Sequence, residues 1–249
     1  MGDIKRMFNP ETIALIGATD REGSIGRIVF ENLILSKGRR IFPVNPGKKE
    51  LLGLTCYPDI VEIPDHIDLA IVVVPAMKVP QCVEGCGKAR VDGIIIISSG
   101  FREVGEEGKK LEEEIIEIRK EYGMEIIGPN CLGIIRPPVG LNATFLNNNP
   151  EPGNIAFISH SGALGSAIID WAVNASIGFS MFASLGSMLD IDFGDMIDFL
   201  GDDPYTRSIL IYMEGVGNAR KFMSAARGFA RNKPVIILKP GKFSESARA

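Results

Sequence analysis

A chain of 249 residues with 45% hydrophobic and 23% charged residues has the composition of a soluble globular protein, long enough for one large domain or two ordinary ones. Its net charge of −4 argues against nucleic acid as the main partner, and no run approaches the ~20 apolar residues of a membrane span. The N-terminal MGDIKRMFNPE holds no apolar signal segment, so the expected location is cytoplasmic.

Short apolar runs alternate with helical spacing along the chain. TIALI (12–16) predicts a strand that runs into a glycine-bearing loop, and helical spacing follows from Ile25 to Leu35. Further strands are expected at 41–44, 68–74, 93–98 and 124–127, with a short segment toward 54–57. Helices are expected over about 78–90 and over 103–121, where Leu111, Ile115, Ile116 and Ile118 form the apolar face. Unalternated β-branched strands between helices read as a parallel sheet buried on both faces. Residues 136–154 (RPPVGLNATFLNNNPEPGN) hold four prolines and little periodicity, which predicts an interdomain connection. Strands then resume at 155–158, 179–183, 207–213 and 234–238, with helices at 162–174, about 192–200 and 218–231. The class is α/β, divided as 1–135, a linker 136–154, and 155–249. After the last strand only KPGKFSESARA remains, with no helix to cover the sheet, so the second unit is expected to be incomplete and to continue past Ala249.

The four cysteines make no metal-ligand pattern. Cys82 and Cys86 share one face of a helix, but no third ligand is near in sequence, and no metal site is expected.

Chemistry concentrates at strand ends. The first strand leads into GATDREGSIGR, Gly17 to Arg27, a strand-to-helix loop whose backbone N–H groups and helix dipole suit an anion. Gly17 permits close backbone approach, while Gly23 and Gly26 permit tight turning and close helix packing. The spacing departs from G-x-G-x-x-G. At the end of the second strand, where NAD binders carry an acidic residue, the chain reads PVNPGKK, with Asn45, Lys48 and Lys49. Cations there suit a ligand with an extra phosphate near its ribose, either NADP or coenzyme A; the alternative is a pair of exposed loop lysines. VVVPAM (72–77), SSGF (98–101) and IGPNCLG (127–133) likewise stand at carboxyl ends of strands, where open α/β sheets bind ligands. FISHSGALG (157–165) opens a helix with one of only two histidines, and IYMEG (211–215) puts Glu214 at another strand end.

In this order, GATDREGSIG, PVNP, VVVP, SSGF, IGPNCLG, ISHSGALG and YMEG resemble the α subunit of nucleoside-diphosphate-forming acyl-CoA ligases, the succinyl-CoA synthetase relatives, and among them the ADP-forming acetate–CoA ligase branch. The resemblance covers essentially the whole chain. It implies a Rossmann-like coenzyme A-binding domain followed by a flavodoxin-like domain. By position it implies coenzyme A contacts at Thr19, Asp20, Arg21, Gly23 and Ser24, at Asn45 and Lys48, and at Val74, Pro75, Ser99, Gly100 and Asn130. The implied reaction interconverts acyl-CoA, ADP and phosphate with free acid, coenzyme A and ATP, through an acyl phosphate and a phosphorylated histidine. ATP or ADP and Mg would be held by an ATP-grasp partner, fused or separate, in an oligomeric assembly.

Ser159, His160, Ser161 and Gly162 match the family's phosphate-holding helix start, and backbone donors with added hydroxyls suit transferring phosphate. Glu214 matches the acidic residue that orients the phosphorylated histidine; its alternative is a solvated loop carboxylate. Gln or Arg is usual where this chain has His160. The resemblance places the phosphorylated histidine on a separate glycine-containing loop after the strand matching 234–238, where this chain reads KPGKFSESARA. It is therefore expected just beyond Ala249, with His160 a neighbour of phosphate and His66 structural. Ser184–Gly186 are candidate acyl-pocket residues that do not name the acid. Two other functions fit parts of the pattern. An NADP-linked oxidoreductase lacks a Tyr-x-x-x-Lys pair or a catalytic His–carboxylate set, and a non-enzymatic coenzyme A or nucleotide sensor lacks an output domain. The 249-residue chain alone is expected to bind coenzyme A without turnover.

Overall fold

The computed structural model describes residues 4–36, 38–231 and 233–240. A short helix α1 (Ile4–Phe8) precedes β1 (Thr12–Ile16), α2 (Ile25–Leu35), β2 (Arg40–Val44) and the hairpin β3 (Glu50–Leu51) and β4 (Leu54–Thr55). The chain continues through β5 (Leu69–Val72), α3 (Val79–Lys88), β6 (Gly93–Ile96), α4 (Glu106–Tyr122) and β7 (Glu125–Ile127). Five parallel strands in the order β2-β1-β5-β6-β7 make the first sheet. Every residue of β1, β5 and β6 is buried, as the unalternated apolar runs require of a sheet covered on both faces. Strand order reverses between β1 and β5, the switch point at whose carboxyl ends open α/β sheets place their ligand crevice.

The second sheet is built from β8 (Gly133–Arg136), β9 (Leu141–Thr144), β10 (Pro152–Ser159), β11 (Phe179–Ser184), β12 (Ser208–Tyr212) and β13 (Val235–Leu238). Helices α5 (Gly162–Asn174), α6 (Phe193–Asp202) and α7 (Ala219–Ala230) connect its parallel strands, and the order is β13-β12-β10-β11-β8-β9. This corrects the reading of 136–154 as a linker. Arg136 and residues 141–144 lie in β8 and β9, which pair antiparallel, and β8 joins β11 in the same sense. Each residue of both strands is buried, but at four residues apiece, beside prolines, they are too short to show a period. By sheet membership Gly133–Ile135, assigned from sequence to the first unit, also belong to the second. β13 leaves Ile236, Ile237 and Leu238 exposed, while residues 241–249, where the sequence suggests a loop, lie outside the described residues.

The two sheets are bound side to side. Arg136 is almost wholly buried and bonds Asp203 Oδ1 at 2.6 Å, Asn9 Oδ1 at 2.5 Å and the carbonyl of Phe8 at 3.3 Å. Asn32 of α2 donates to the carbonyls of Thr144 and Leu146, so the first helix of one sheet is fixed to the edge of the other. Backbone N–H groups of Ser187, Leu189 and Ile191 donate to the carbonyls of Pro129, Gly128 and Ile126. Arg119 of α4 reaches across to Asp190 at 2.9 Å.

Two outcomes follow for stability. Arg136→Met strands the buried Asp203 carboxylate and is expected to lose about 3–5 kcal/mol in chemical denaturation. Arg136→Met combined with Asp203→Asn should lose less than the sum of the single changes. Burial raises the carboxyl pKa of Asp190, against the pull of Arg119. Its folded pKa thus lies above the unfolded value of about 4, so its stabilising contribution is lost as pH rises through the folded pKa. Asp190→Asn should accordingly gain on the native chain between about pH 4 and pH 7, read by urea titration at both.

Candidate functional site

The crevice begins with the turn after β1. Gly17 has φ +95°, and a Cβ there would sit 2.2 Å from the carbonyl oxygen of Val73. A Cβ on Gly26 would sit 2.4 Å from the carbonyl of Gly17. Strand, loop and helix start approach this closely only without side chains, which leaves main-chain N–H groups to face a ligand. Ser24 caps α2 by accepting from the N–H of Arg27, and Thr19 Oγ1 accepts from that of Arg21.

Asn45 braces this loop. Its amide donates to the carbonyl of Ala18 at 2.8 Å, and its Oδ1 accepts from Gly47 at 2.9 Å. Lys48 Nζ reaches Asp20 Oδ2 at 2.8 Å, and that bond holds the Asp20 carboxyl below its usual pKa. The lysine thus stands against the glycine loop, exposed and paired with a carboxylate.

One cleft of about 1010 Å³ opens at the carboxyl ends of both sheets. From the first unit it takes Gly17, Thr19, Ser24, Val74, Pro75, Ser99 and Asn130. From the second it takes His160, Ser161, Gly162 and Glu214. A smaller cavity of about 390 Å³ shares Gly17, Val74 and Pro75 with it and adds Asn45. Asp20, Arg21, Gly23, Lys48, Gly100 and Ser159 border neither. Gly100 donates its N–H to Glu103 at 2.6 Å, and Glu103 itself lines the cleft.

Helix α5 begins at the switch point of the second sheet, with β11 on one side of β10 and β12 on the other. Ser161 caps it by accepting from Leu164, which leaves Gly162 and Ala163, both on the cleft wall, without acceptors inside the helix. The expectation that the Ser159 hydroxyl adds a donor is corrected: Ser159 is fully buried and its Oγ donates to the carbonyl of Ser161 at 2.8 Å. It shapes the turn and does not face the cleft. His160 and Glu214 are joined, the N–H of Glu214 donating to Nδ1 of His160 at 3.0 Å. Burial lowers the His160 pKa, with the Glu214 carboxylate opposing.

Some wall residues escaped the sequence reading. Phe145 comes from the stretch read as linker, Arg102 follows the SSGF motif, and Leu132 lies within IGPNCLG, where only Asn130 was singled out. Ser98 accepts from the N–H of Val74, tying two strand ends together, although only Ser99 was singled out. Of the candidate acyl-pocket residues, Gly186 lines the cleft, while Ser184 is buried with an unpartnered hydroxyl. Cys131 also lines the cleft, but burial pushes its thiol pKa up to about 12, so it supplies no thiolate near neutrality. His66, Asp68 and Asp92 lie within 4.8 Å of one another, a grouping the sequence did not suggest. Arg6 lies 3.9 and 3.7 Å from the two carboxylates, and Asp68 Oδ2 also accepts from Glu11 and Thr12. The cluster ties α1 to the sheet with a cation of its own.

A glycine loop at the switch point of a parallel sheet, joined to a second α/β unit whose switch point opens the same cleft, defines a two-unit α/β protein with a candidate ligand cleft at its strand ends. Residues 11–137 match the CoA binding domain, and residues 152–249 match the succinyl-CoA ligase like flavodoxin domain. The chain belongs to the family that joins these two domains, Rossmann-like first and flavodoxin-like second. It is 46% identical to the acetate–CoA ligase [ADP-forming] I of Archaeoglobus fulgidus, across 99% of this chain and 36% of that protein. It is 45% identical to the α subunit of the acetate–CoA ligase [ADP-forming] I of Pyrococcus furiosus, across 99% of this chain and 54% of that subunit. The chain therefore spans about a third to a half of the length of these relatives. Among solved structures, the dinucleotide forming acetyl-coenzyme A synthetase 1 of Ca. Korarchaeum cryptofilum, in complex with phosphate and ADP, superposes with a TM-score of 0.95 at 41% identity. That match covers 100% of this chain and 54% of the other.

Gly17→Ala should cost about 2–4 kcal/mol, because backbone strain adds to a clash with a fixed carbonyl. Gly23, at φ +70° with nothing within 4 Å of a Cβ, should cost only about 1 kcal/mol on the same change. Thermal melts of the two variants make the comparison.

Proposed function

We propose that this chain is the coenzyme A-binding and phosphate-handling α portion of an ADP-forming acyl-CoA ligase. The full enzyme interconverts acyl-CoA, ADP and phosphate with free acid, coenzyme A and ATP. The observation that carries this reading is the shared cleft, because an acyl group moves between thiol and phosphate only where both are held in one water-poor space.

In this reading Thr19, Asp20, Arg21, Gly23 and Ser24 surround the diphosphate of coenzyme A at the α2 N-terminus. Lys48 leaves Asp20 for the 3′-phosphate, and Asn45 keeps the loop in place for it. An elongated ligand passes from the smaller cavity into the cleft along Gly17, Val74 and Pro75, which border both. Ser99, Gly100 and Asn130 guide its thiol end toward the second unit. Ser161 and the first N–H groups of α5 hold the phosphate, preorganised so that no donor needs to turn during transfer. Glu214 presents a carboxylate to the histidine that takes up the phosphoryl group. That histidine is neither His66 nor His160 and belongs to another part of the full protein.

ATP or ADP with Mg is held by an ATP-grasp unit, which the α-subunit name of the Pyrococcus relative supports as a separate partner and the longer Archaeoglobus chain as a fused one. The assembly is an oligomer, and the location is cytoplasmic; no helix among the described residues is long and apolar enough to cross a membrane. An NADP-linked oxidoreductase and a sensor without catalysis both leave Glu214 and the α5 turn idle.

Calorimetric titration tests the reading. Coenzyme A is expected to bind, and 3′-dephospho-coenzyme A to bind about tenfold or more weakly, the worth of one charge-assisted phosphate contact. Lys48→Ala should weaken coenzyme A by a similar factor and leave the dephospho form nearly unchanged. Tighter binding of NADP or NAD overturns the proposal.

A further inference from the structure

His160 is held from three sides. Its backbone N–H donates to the carbonyl of Tyr212 at 3.1 Å, and its ring meets Phe193 of α6 edge-on, 4.8 Å between centroids. The third hold is the N–H of Glu214 on Nδ1. A main-chain N–H is only ever a donor, so Nδ1 must present its lone pair, and the proton of the neutral ring goes to Nε2. No partner of Nε2 occurs among the described residues, and Nε2 is not one of the buried polar atoms left without a partner. His160 lines the cleft, so that nitrogen is open to it.

We propose that Glu214 locks His160 as the Nε2–H tautomer, so that the ring serves the cleft as a neutral hydrogen-bond donor to an oxyanion and not as a nitrogen nucleophile. The tautomer stands on the geometry alone; the identity of the anion rests on the reading of the cleft as a phosphate-handling site. A nitrogen attacks phosphorus through an in-plane lone pair. On a protonated Nε2 that pair belongs to the ring π system, and on Nδ1 it is engaged by Glu214. The ring therefore offers no nucleophile while the bond to Glu214 lasts.

Burial favours the neutral ring, and the one charge acting against it is the Glu214 carboxylate. The other neighbours, Phe193 of α6, the Tyr212 carbonyl of β12 and Ser161 at the start of α5, contribute no charge near neutral pH. A neutral Nε2–H imidazole has one acceptor and one donor on opposite sides, as does the side-chain amide of glutamine. A glutamine side chain at this position can therefore accept from Glu214 and donate to the same anion.

Long-range proton–nitrogen NMR on this chain reads the tautomer directly, and His66→Gln leaves His160 as the single histidine. The expected pattern at pH 7 is a protonated Nε2 with a bare Nδ1, and inorganic phosphate should shift the Nε2 proton. Phosphate titrations should show His160→Gln within about threefold of the native chain and His160→Ala weakened about tenfold, the size expected for one donor. An Nδ1–H tautomer or an imidazolium at pH 7 overturns the lock. Equal phosphate affinity in His160→Ala and the native chain, or no phosphate binding where coenzyme A still binds, overturns the donor role. Failure of coenzyme A to bind the native chain refutes the ligase reading and leaves the tautomer standing.

Discussion

The buried guanidinium of Arg136 ties together three stretches that are distant in sequence: the end of α1, the strand β8, and Asp203 beyond α6. Taking that charge out of water is costly, and apolar side chains of like volume often replace buried ion pairs with no loss of stability. What a planar, many-donor cation adds is direction. It bonds Phe8 and Asn9 of the first unit through one nitrogen and Asp203 of the second through another, so only one orientation of the sheets satisfies it. Asn32 and the backbone bonds of Ser187, Leu189 and Ile191 depend on that same orientation. With the sheets set in this way, their two switch points face each other across one cleft.

The cleft is made mostly of main chain. Gly17 and Gly26 bring strand and helix together until no side chain fits, and the N-termini of α2 and α5 aim toward the space between. Fixed N–H groups suit phosphate without a permanent surplus of positive charge, consistent with a chain of net charge −4. The charged groups are moderated: Lys48 is paired with Asp20, Glu103 is held by Gly100, and His160 is kept neutral by burial. The cysteine on the wall is held as an unreactive thiol. A site arranged in this way favours binding and orientation, with little reactivity of its own.

Most elements were legible because their local signals were strong. The unalternated runs at 12–16 and 93–98 became buried parallel strands, and the helix over 162–174 has the limits its periodicity indicates. The strand-end motifs were legible for the same reason, since Gly17, Ser24, Asn130 and Gly162 each serve a tight turn or a helix start that few residue types allow. The stretch 136–154 was misread because β8 pairs with β11, a neighbour far away in sequence, and β9 joins the sheet only through β8; propensity holds no trace of such pairing.

Sequence by itself determined the α/β class, the order of the elements and the residue types at the strand ends, because these depend on contacts made within a few turns of chain. Only the tertiary structure decided which of those residues share a cleft, that Ser159 faces inward, and which nitrogen of His160 holds the proton. Each of these depends on partners supplied from elsewhere: the sheet around β10 for Ser159, and the backbone of Glu214, 54 positions along the chain, for His160. A hydrogen bond across that separation exists only once the sheet has brought β10 and β12 side by side.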